Sequence, residues 1–376
     1  MSDMSNLDIV SDGPAYSFTD LETKNRNFYV PTCRILADGE DIFTKSMMIS
    51  SLTVDHSVSK AGSCSLTAVP VPGEWDKKAP EQILSPGTLV EVYMGYAKAL
   101  EAVFTGVVTR VGIAFTSSGA PELTVGCTDF SHLMMRGTEE HMWSKDECAS
   151  FSEVVDKILS KYLDGDRLTT SVVEDVKTEQ EPPFAQHGQS DYQFIKSAAD
   201  QNHIDFFVSG PNVYFQKRQT TGEPVVELTW GKNLAGFRCD VDAASLVSSI
   251  KVTERGMEKE PSSVELDIGD IQEQICGDKM FGYVQKMYND KSRLTVSTYF
   301  GDVERAKKYA EDVLIGRNKV AFSASGDCVG IPQIMAGRII AIKGVGDLLS
   351  GNYFVTDVKH TLNTSGYKTG FTVTDC

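Results

Sequence analysis

No window of the 376-residue sequence approaches the roughly 18 uninterrupted apolar residues that a membrane-spanning helix requires, so no membrane anchor is expected. The opening MSDMSNLDIVSDGPAYSFTDLETKNRN lacks the basic and then apolar regions of a secretory signal, and export by that route is not expected either. Positive charge is scarce. Against 52 acidic residues stand 36 basic ones, for a net charge of −16, and no dense Lys/Arg stripe offsets it. Displacing counterions from phosphates needs clustered cations, so specific nucleic-acid binding is not expected. The eight cysteines, at 33, 64, 127, 148, 239, 276, 328 and 376, contain no C-x-x-C and no tight cluster. They read as reduced, mostly buried thiols rather than a disulfide framework or a zinc site.

Catalytic signatures are missing as well. The sequence has no G-x-x-x-x-G-K-[ST], no G-x-S-x-G and no H-E-x-x-H. GVGDLLSG at 344–351 lacks the third glycine of a dinucleotide loop and is followed by a strand, which points to a hairpin turn. The best place for a metal or an acid/base pair is where His132 and His141 bracket Glu139 and Glu140, but no helical i, i+4 pairing unites them. The expectation is therefore no catalytic residue, no cofactor and no metal, with the partner interface undefined.

What is present is patterned. With 41% hydrophobic and 23% charged residues, the chain is long enough for two or three domains with their own cores. Residues 1–26 read as a flexible arm. From 27 to 130 short strands alternate with turns: YVPTCRIL, SMMISSLTV, SCSLTAV, TLVEVYMGY, AVFTGVVTRVGIAF and ELTVGC. Residues 131–224 add helices. Ser150 with Glu153, and Ser190 with Gln193, form capping boxes ahead of apolar stripes. The second stripe, Phe194, Ile195, Ala198 and Ala199, stops at Asn202 and feeds a hairpin, IDFFV to VYFQ. From 225 to 376 strands return, interrupted by an aperiodic polar insertion at about 256–292. A third helix follows, capped by Asp302 and closed at Gly316. The letters contain no strict internal repeat.

Several of these segments, in order, resemble the late control gene D family of phage tail proteins, and with it baseplate hubs and the hub portion of VgrG proteins. TLVEVYMGY with FTGVVTRV resembles the family's first barrel. GCTDFSHLMMRG with SFSEVVDKILSKY resembles the passage to the middle domain. SDYQFIKSAADQNHIDFFVSGPNVYFQK resembles the helix and hairpin most typical of the family, and TYFGDVERAKKYAEDVL with GNYFVTDVKHTLNTSGYKTGFTV resembles its C-terminal helix and strands. The resemblance implies a β-rich α+β protein: two antiparallel, tube-like β-barrel domains with a mixed α+β domain between them. It also implies a homotrimer, a symmetry adapter between a six-fold tail tube protein and a three-fold spike. The neighbours would be other baseplate proteins and a tape-measure protein, in a virion or injection particle assembled in the host cytoplasm. Because VgrG proteins continue into a spike and this sequence stops at Cys376, the spike is expected as a separate protein. A tailocin or extracellular injection system, a tail-tip cell-wall hydrolase using Glu139 or Glu140, and a receptor-binding protein are the alternatives.

Overall fold

The computed structural model describes residues 4–9, 15–45, 47–70, 84–115, 121–175, 183–219, 221–241, 247–254, 263–274, 293–298, 303–319 and 322–375. The expected cap Asp302, Cys276, Cys376 and most of the expected insertion lie outside them.

Residues expected to form a flexible arm are instead packed where they are described. Leu7 and Leu21 are both buried, and Leu21 sits on helix α1 (Phe18–Lys24), which Ser17 and Asp20 close with a reciprocal capping box. Leu7 and Leu21 anchor the segment together with hydrogen bonds from distant residues, and its mostly polar composition hid them.

The next strands are β1 (Pro31–Ala37), β2 (Glu40–Asp41), β3 (Met47–Ser57), β4 (Ser63–Pro70), β5 (Leu89–Tyr96), β6 (Ala99–Ala114) and β7 (Glu122–Thr128). Along β3 Leu52, Val54 and His56 are buried while Thr53 and Asp55 between them are not, the period-two pattern of a sheet with one dry face. The pairing order is β1-β5-β6-β7-β4-β3. All six strands feed one core, with Ile35, Leu52, Leu66, Val92, Phe104 and Val125 as their respective contributions. Since the outermost strands β1 and β3 share that core, the sheet is rolled on itself.

A mixed unit follows: α2 (Ser131–Met134), β8 (Glu139–Trp143), α3 (Phe151–Ser160), β9 (Thr170–Val173), β10 (Phe184–Gln189), α4 (Asp191–Gln201), β11 (Ile204–Ser209) and β12 (Asn212–Lys217). Ser190 and Gln193 cap α4 reciprocally, and Phe194 and Ile195 join Val154, Ile158, Phe206 and Phe215 in one core. The turn out of α4 differs in detail from expectation. Asn202 keeps φ at −104° and its amide donates to the Ala198 carbonyl, while the left-handed residue is His203, with φ 56°.

Then come β13 (Val226–Thr229), β14 (Leu234–Val241), β15 (Ser249–Glu254), β16 (Ser263–Asp267), β17 (Arg293–Thr298), α5 (Val303–Lys319), β18 (Phe322–Val329), β19 (Ile339–Lys343), β20 (Gly351–Asn363) and β21 (Gly366–Asp375). The segment expected to be an aperiodic insertion supplies β16 to a small sheet, β16-β15-β17, which α5 covers around Ile250, Val252, Ala310 and Leu314. Helix α5 runs through Gly316 to Lys319 rather than closing there, and Gly316 lies close against His203. A Cβ at 316 would lie 3.2 Å from the His203 ring. GVGDLLSG connects antiparallel β19 and β20, as a hairpin turn should.

The remaining six strands pair in the order β13-β19-β20-β21-β18-β14 and enclose a second core that includes Leu228, Leu234, Ile340, Val355 and Phe371. The two expected tube-like β-barrel domains correspond to two rolled halves, and no closed sheet forms among the described residues. β3 pairs with β20, so the two rolled halves are one thirteen-stranded sheet, and among the described residues its pairing never closes into a ring. The reason is that β20, at 13 residues, outlasts its neighbour β19 and leaves an edge that β3 takes. The protein is β-rich α+β.

Candidate functional site: the joint between the two sheet halves

The two halves repeat each other. Lettering the strands a to f along the chain in each half, the spatial order is a-d-e-f-c-b both times: β1, β3, β4, β5, β6, β7 in the first and β13, β14, β18, β19, β20, β21 in the second. Every corresponding pair is antiparallel in both halves except the first, where β1–β5 is antiparallel and β13–β19 parallel. Two of the irregularities repeat as well, although the shift in the β5–β6 pair has no counterpart in β19–β20. Strand e carries a bulge at Thr109 in β6 and at Thr356 in β20, and each bulged threonine donates its hydroxyl, at 3.2 Å, to the carbonyl of the residue opposite its successor, Gly126 or Thr372. Strand b is bulged at Ser50 in β3 and at Ala235 in β14. Bulges that coincide in place, and at strand e in hydrogen bond, align the halves residue by residue.

At the joint the second half of β20 pairs with β3, from Asp357 opposite Ser57 to Asn363 opposite Ser51. Its inward side chains, Leu52, Val54, Val358 and His360, are all buried. Outward, Lys359 faces Asp55 at 3.6 Å across the ladder. A cleft of about 350 Å³ lies alongside, lined by Asp55, His56, Lys60, Asp357 and Lys359 among others.

Buried polar groups brace the joint. His360 accepts or donates at every polar atom: Nε2 to the Ile334 carbonyl at 3.0 Å, and Nδ1 to Thr369 Oγ1 at 3.0 Å and Tyr367 Oη at 2.9 Å. Burial, helped by neighbouring His56, pushes its pKa down to about 3, so it is a neutral ring. His56 is held by the Val103 carbonyl at 2.5 Å, and its pKa is also lowered by burial. Asp129 accepts from the amides of Gly62 and Ser131 and from the Ser131 hydroxyl. Burial nevertheless outweighs these three bonds and pushes its carboxyl up to about 6. Sequence reading passed over His56, Asp129 and His360. The available signal was a polar residue at an inward position of an alternating strand.

Residues 4–9 clasp the whole. The Asn6 amide donates to the carbonyls of Ala102 in β6 and Pro332 before β19; Leu7 accepts from Ser209 and Asp8 from Tyr214, both in the mixed unit. Buried Arg338 reaches back to the Asn6 side chain and to the carbonyls of Asn6 and Asp8. One short segment therefore touches both halves and the unit between them.

The acid/base candidates do not converge. Glu139, Glu140 and His141 lie exposed on β8, where alternation sends Glu140 to the face opposite the other two. His141 packs against Trp143 with the rings tilted by 58° and approaches Glu147 at 3.7 Å. His132 is on α2, its pKa lowered by burial and by Arg136. Among the described residues no hydrogen bond or ion pair joins His132 to Glu139, Glu140 or His141, and no group of three or more His, Cys, Asp or Glu is placed to hold a metal.

Solved tail proteins share this arrangement. The chain superposes on a tail protein of Neisseria meningitidis with a TM-score of 0.64 at 11% identity, covering 92% of this chain and 97% of that one. A prophage tail protein of Shewanella oneidensis gives a TM-score of 0.67 at 13% identity over 92% and 98%. An Escherichia coli component of the type VI secretion system, itself described as similar to T4 bacteriophage tail proteins, gives 0.55 at 12% identity over 92% and 77%. At these identities the likeness is one of fold: this is a phage-tail-protein fold. By sequence, the model of the family described as Alg8 N-terminal domain matches residues 27–364, and the chain belongs to that family. That description differs in name from the late control gene D family its motifs resemble. No curated protein matches the chain.

Proposed function

We propose that the protein is the structural hub of a contractile tail or a related injection particle, a trimeric adapter between a six-fold tube and a three-fold spike. The observation that carries this reading is the duplicated a-d-e-f-c-b order with coincident bulges. A chain holding two like rolls presents six of them when three copies close into a ring, so a trimer can meet six-fold neighbours. The tail-protein fold supports the same role. The partners are then the tail tube protein, a separate spike protein, other baseplate proteins and a tape-measure protein in the channel. With a net charge of −16 the ring would repel DNA rather than grip it. The role is mechanical and non-enzymatic.

Native mass spectrometry tests the reading. The expected species weighs three chains of 41.2 kDa, and electron microscopy of it shows six rolls around a channel. A protein that stays monomeric both alone and with its tube and spike partners overturns it. Peptidoglycan clearing by the wild type, lost in a Glu139→Gln, Glu140→Gln double variant, would instead establish a hydrolase.

A further inference from the structure

The joint inside the chain links strand b of the first half to strand e of the second. The complementary pair, strand b of the second half (β14) and strand e of the first (β6), is not joined within the chain. β6 pairs with β5 only through Val107 and with β7 from Val107 to Ala114. Opposite β7, residues 110–114 face no other strand among those described. Among the described residues the one strand that pairs with β14 is β18. Burial records the difference. Leu52, Val54, Val358 and His360 are buried at the internal joint, whereas their counterparts Phe237, Cys239 and Val111 are only half-buried and Ile113 is 40% exposed. Phe115, next along the edge, is 69% exposed.

We propose that these two edges are one interface, and that β14 of a neighbouring copy adds to β6 by antiparallel pairing. The proposal deepens the trimeric-hub reading and rests on it. The register follows from the alignment of bulges. Thr356 corresponds to Thr109 and Ala235 to Ser50, so the internal pairs Val358–His56, Lys359–Asp55, His360–Val54, Thr361–Thr53 and Leu362–Leu52 translate into specific partners. They are Val111 opposite Val241, Gly112 opposite Asp240, Ile113 opposite Cys239, Ala114 opposite Arg238 and Phe115 opposite Phe237 of the neighbouring copy. Phe115 and Phe237 form an aromatic cross-strand pair, and Arg110 comes diagonal to Asp240, taking over the charge pairing that Lys359 and Asp55 make inside the chain. The second copy completes both cores at their open sides.

Nature has placed half of the test in the sequence. Opposed residues of an antiparallel pair have Cα atoms roughly 4.5–5.5 Å apart, within disulfide reach. Ile113→Cys alone should therefore cross-link to native Cys239 of the next copy under mild oxidation, giving two- and three-chain bands on a non-reducing gel. Ile113→Cys with Cys239→Ser should give none. Gly112→Cys, one residue out of phase, should not react with Cys239 but should cross-link when Asp240→Cys is added. The melting temperature of each variant confirms that it is folded. Absence of the Cys239-dependent product and of the Gly112–Asp240 product overturns the proposed joint. The wild-type mass then separates the two failures: a trimer without these products removes only this interface, and a monomer removes the hub reading with it.

Discussion

Gly330 has no side chain because Tyr367 occupies its place: a Cβ there would lie 2.1 Å from the ring. The same tyrosine reaches His360 Nδ1, so the glycine, the ring and the imidazole form one stack. Gly330→Ala should destabilise the protein by roughly 1–3 kcal/mol, the usual range for overpacking a core, as measured by urea unfolding. The buried ionisable groups give a pH signature. His360 is depressed to about 3, so the unfolded chain takes up a proton near 6.5 that the folded one refuses; its contribution is full above pH 6.5 and is lost as pH falls toward 3. Asp129, raised to about 6, acts oppositely: its contribution is full below pH 3.8 and lost as pH rises through 6. The wild type should lose stability between pH 7 and 5, partly offset by Asp129. His360→Gln should flatten the decline while lowering stability at pH 7 by roughly 1–3 kcal/mol for the bonds left unmade. Denaturation at the two pH values checks both, and an unchanged slope would mean that the ring is already charged in the native state.

At the scale of elements, local chemistry was readable from sequence wherever it acts over a few residues. Ser190 and Gln193 announce α4 because a capping box needs only four residues, and Ser190→Ala should cost about 1 kcal/mol and speed amide exchange in its first turn. The strands of both halves were visible through alternation. What alternation cannot show is which edge meets which: nothing in SMMISSLTV tells that β3 will lie against a strand 300 residues later rather than close its own barrel. β17 was missed because Arg293–Thr298 is short and parallel to its neighbour, with no hairpin to announce it. The duplication was present in letters only as an echo, VVTRV against FVTDV, around the two bulged threonines. Thr356→Val removes a hydroxyl whose partner is a ladder carbonyl and should cost roughly 0.5–1.5 kcal/mol in unfolding experiments. The same loss at Thr109→Val would support the equivalence of the two sites.

For the molecule as a whole, the candidate site was only partly legible. The letters left the partner interface undefined, and the acid/base candidates pointed to a strand whose exposed side chains alternate faces. The N-terminal clasp was read as an arm because its hold is made by main-chain carbonyls and by Arg338, more than 300 residues away. Removing residues 1–9 strips that buried guanidinium of its bonds to Asn6 and Asp8, leaving the one to the Gln333 carbonyl, and should destabilise the protein by roughly 3–5 kcal/mol. Adding Arg338→Met to the truncated chain should restore part of the loss, which thermal unfolding of the two variants would reveal; no restoration would place the loss in Leu7 instead.

The clasp also sets an order of events. Asn6 is made more than 320 residues before Pro332 and Arg338, yet it cannot seat until both have been made and folded. Contacts of such separation close late and slowly. A chain interrupted before residue 338 therefore leaves residues 4–9 unseated and exposed to proteases, and only one that has passed that point carries the sealed form.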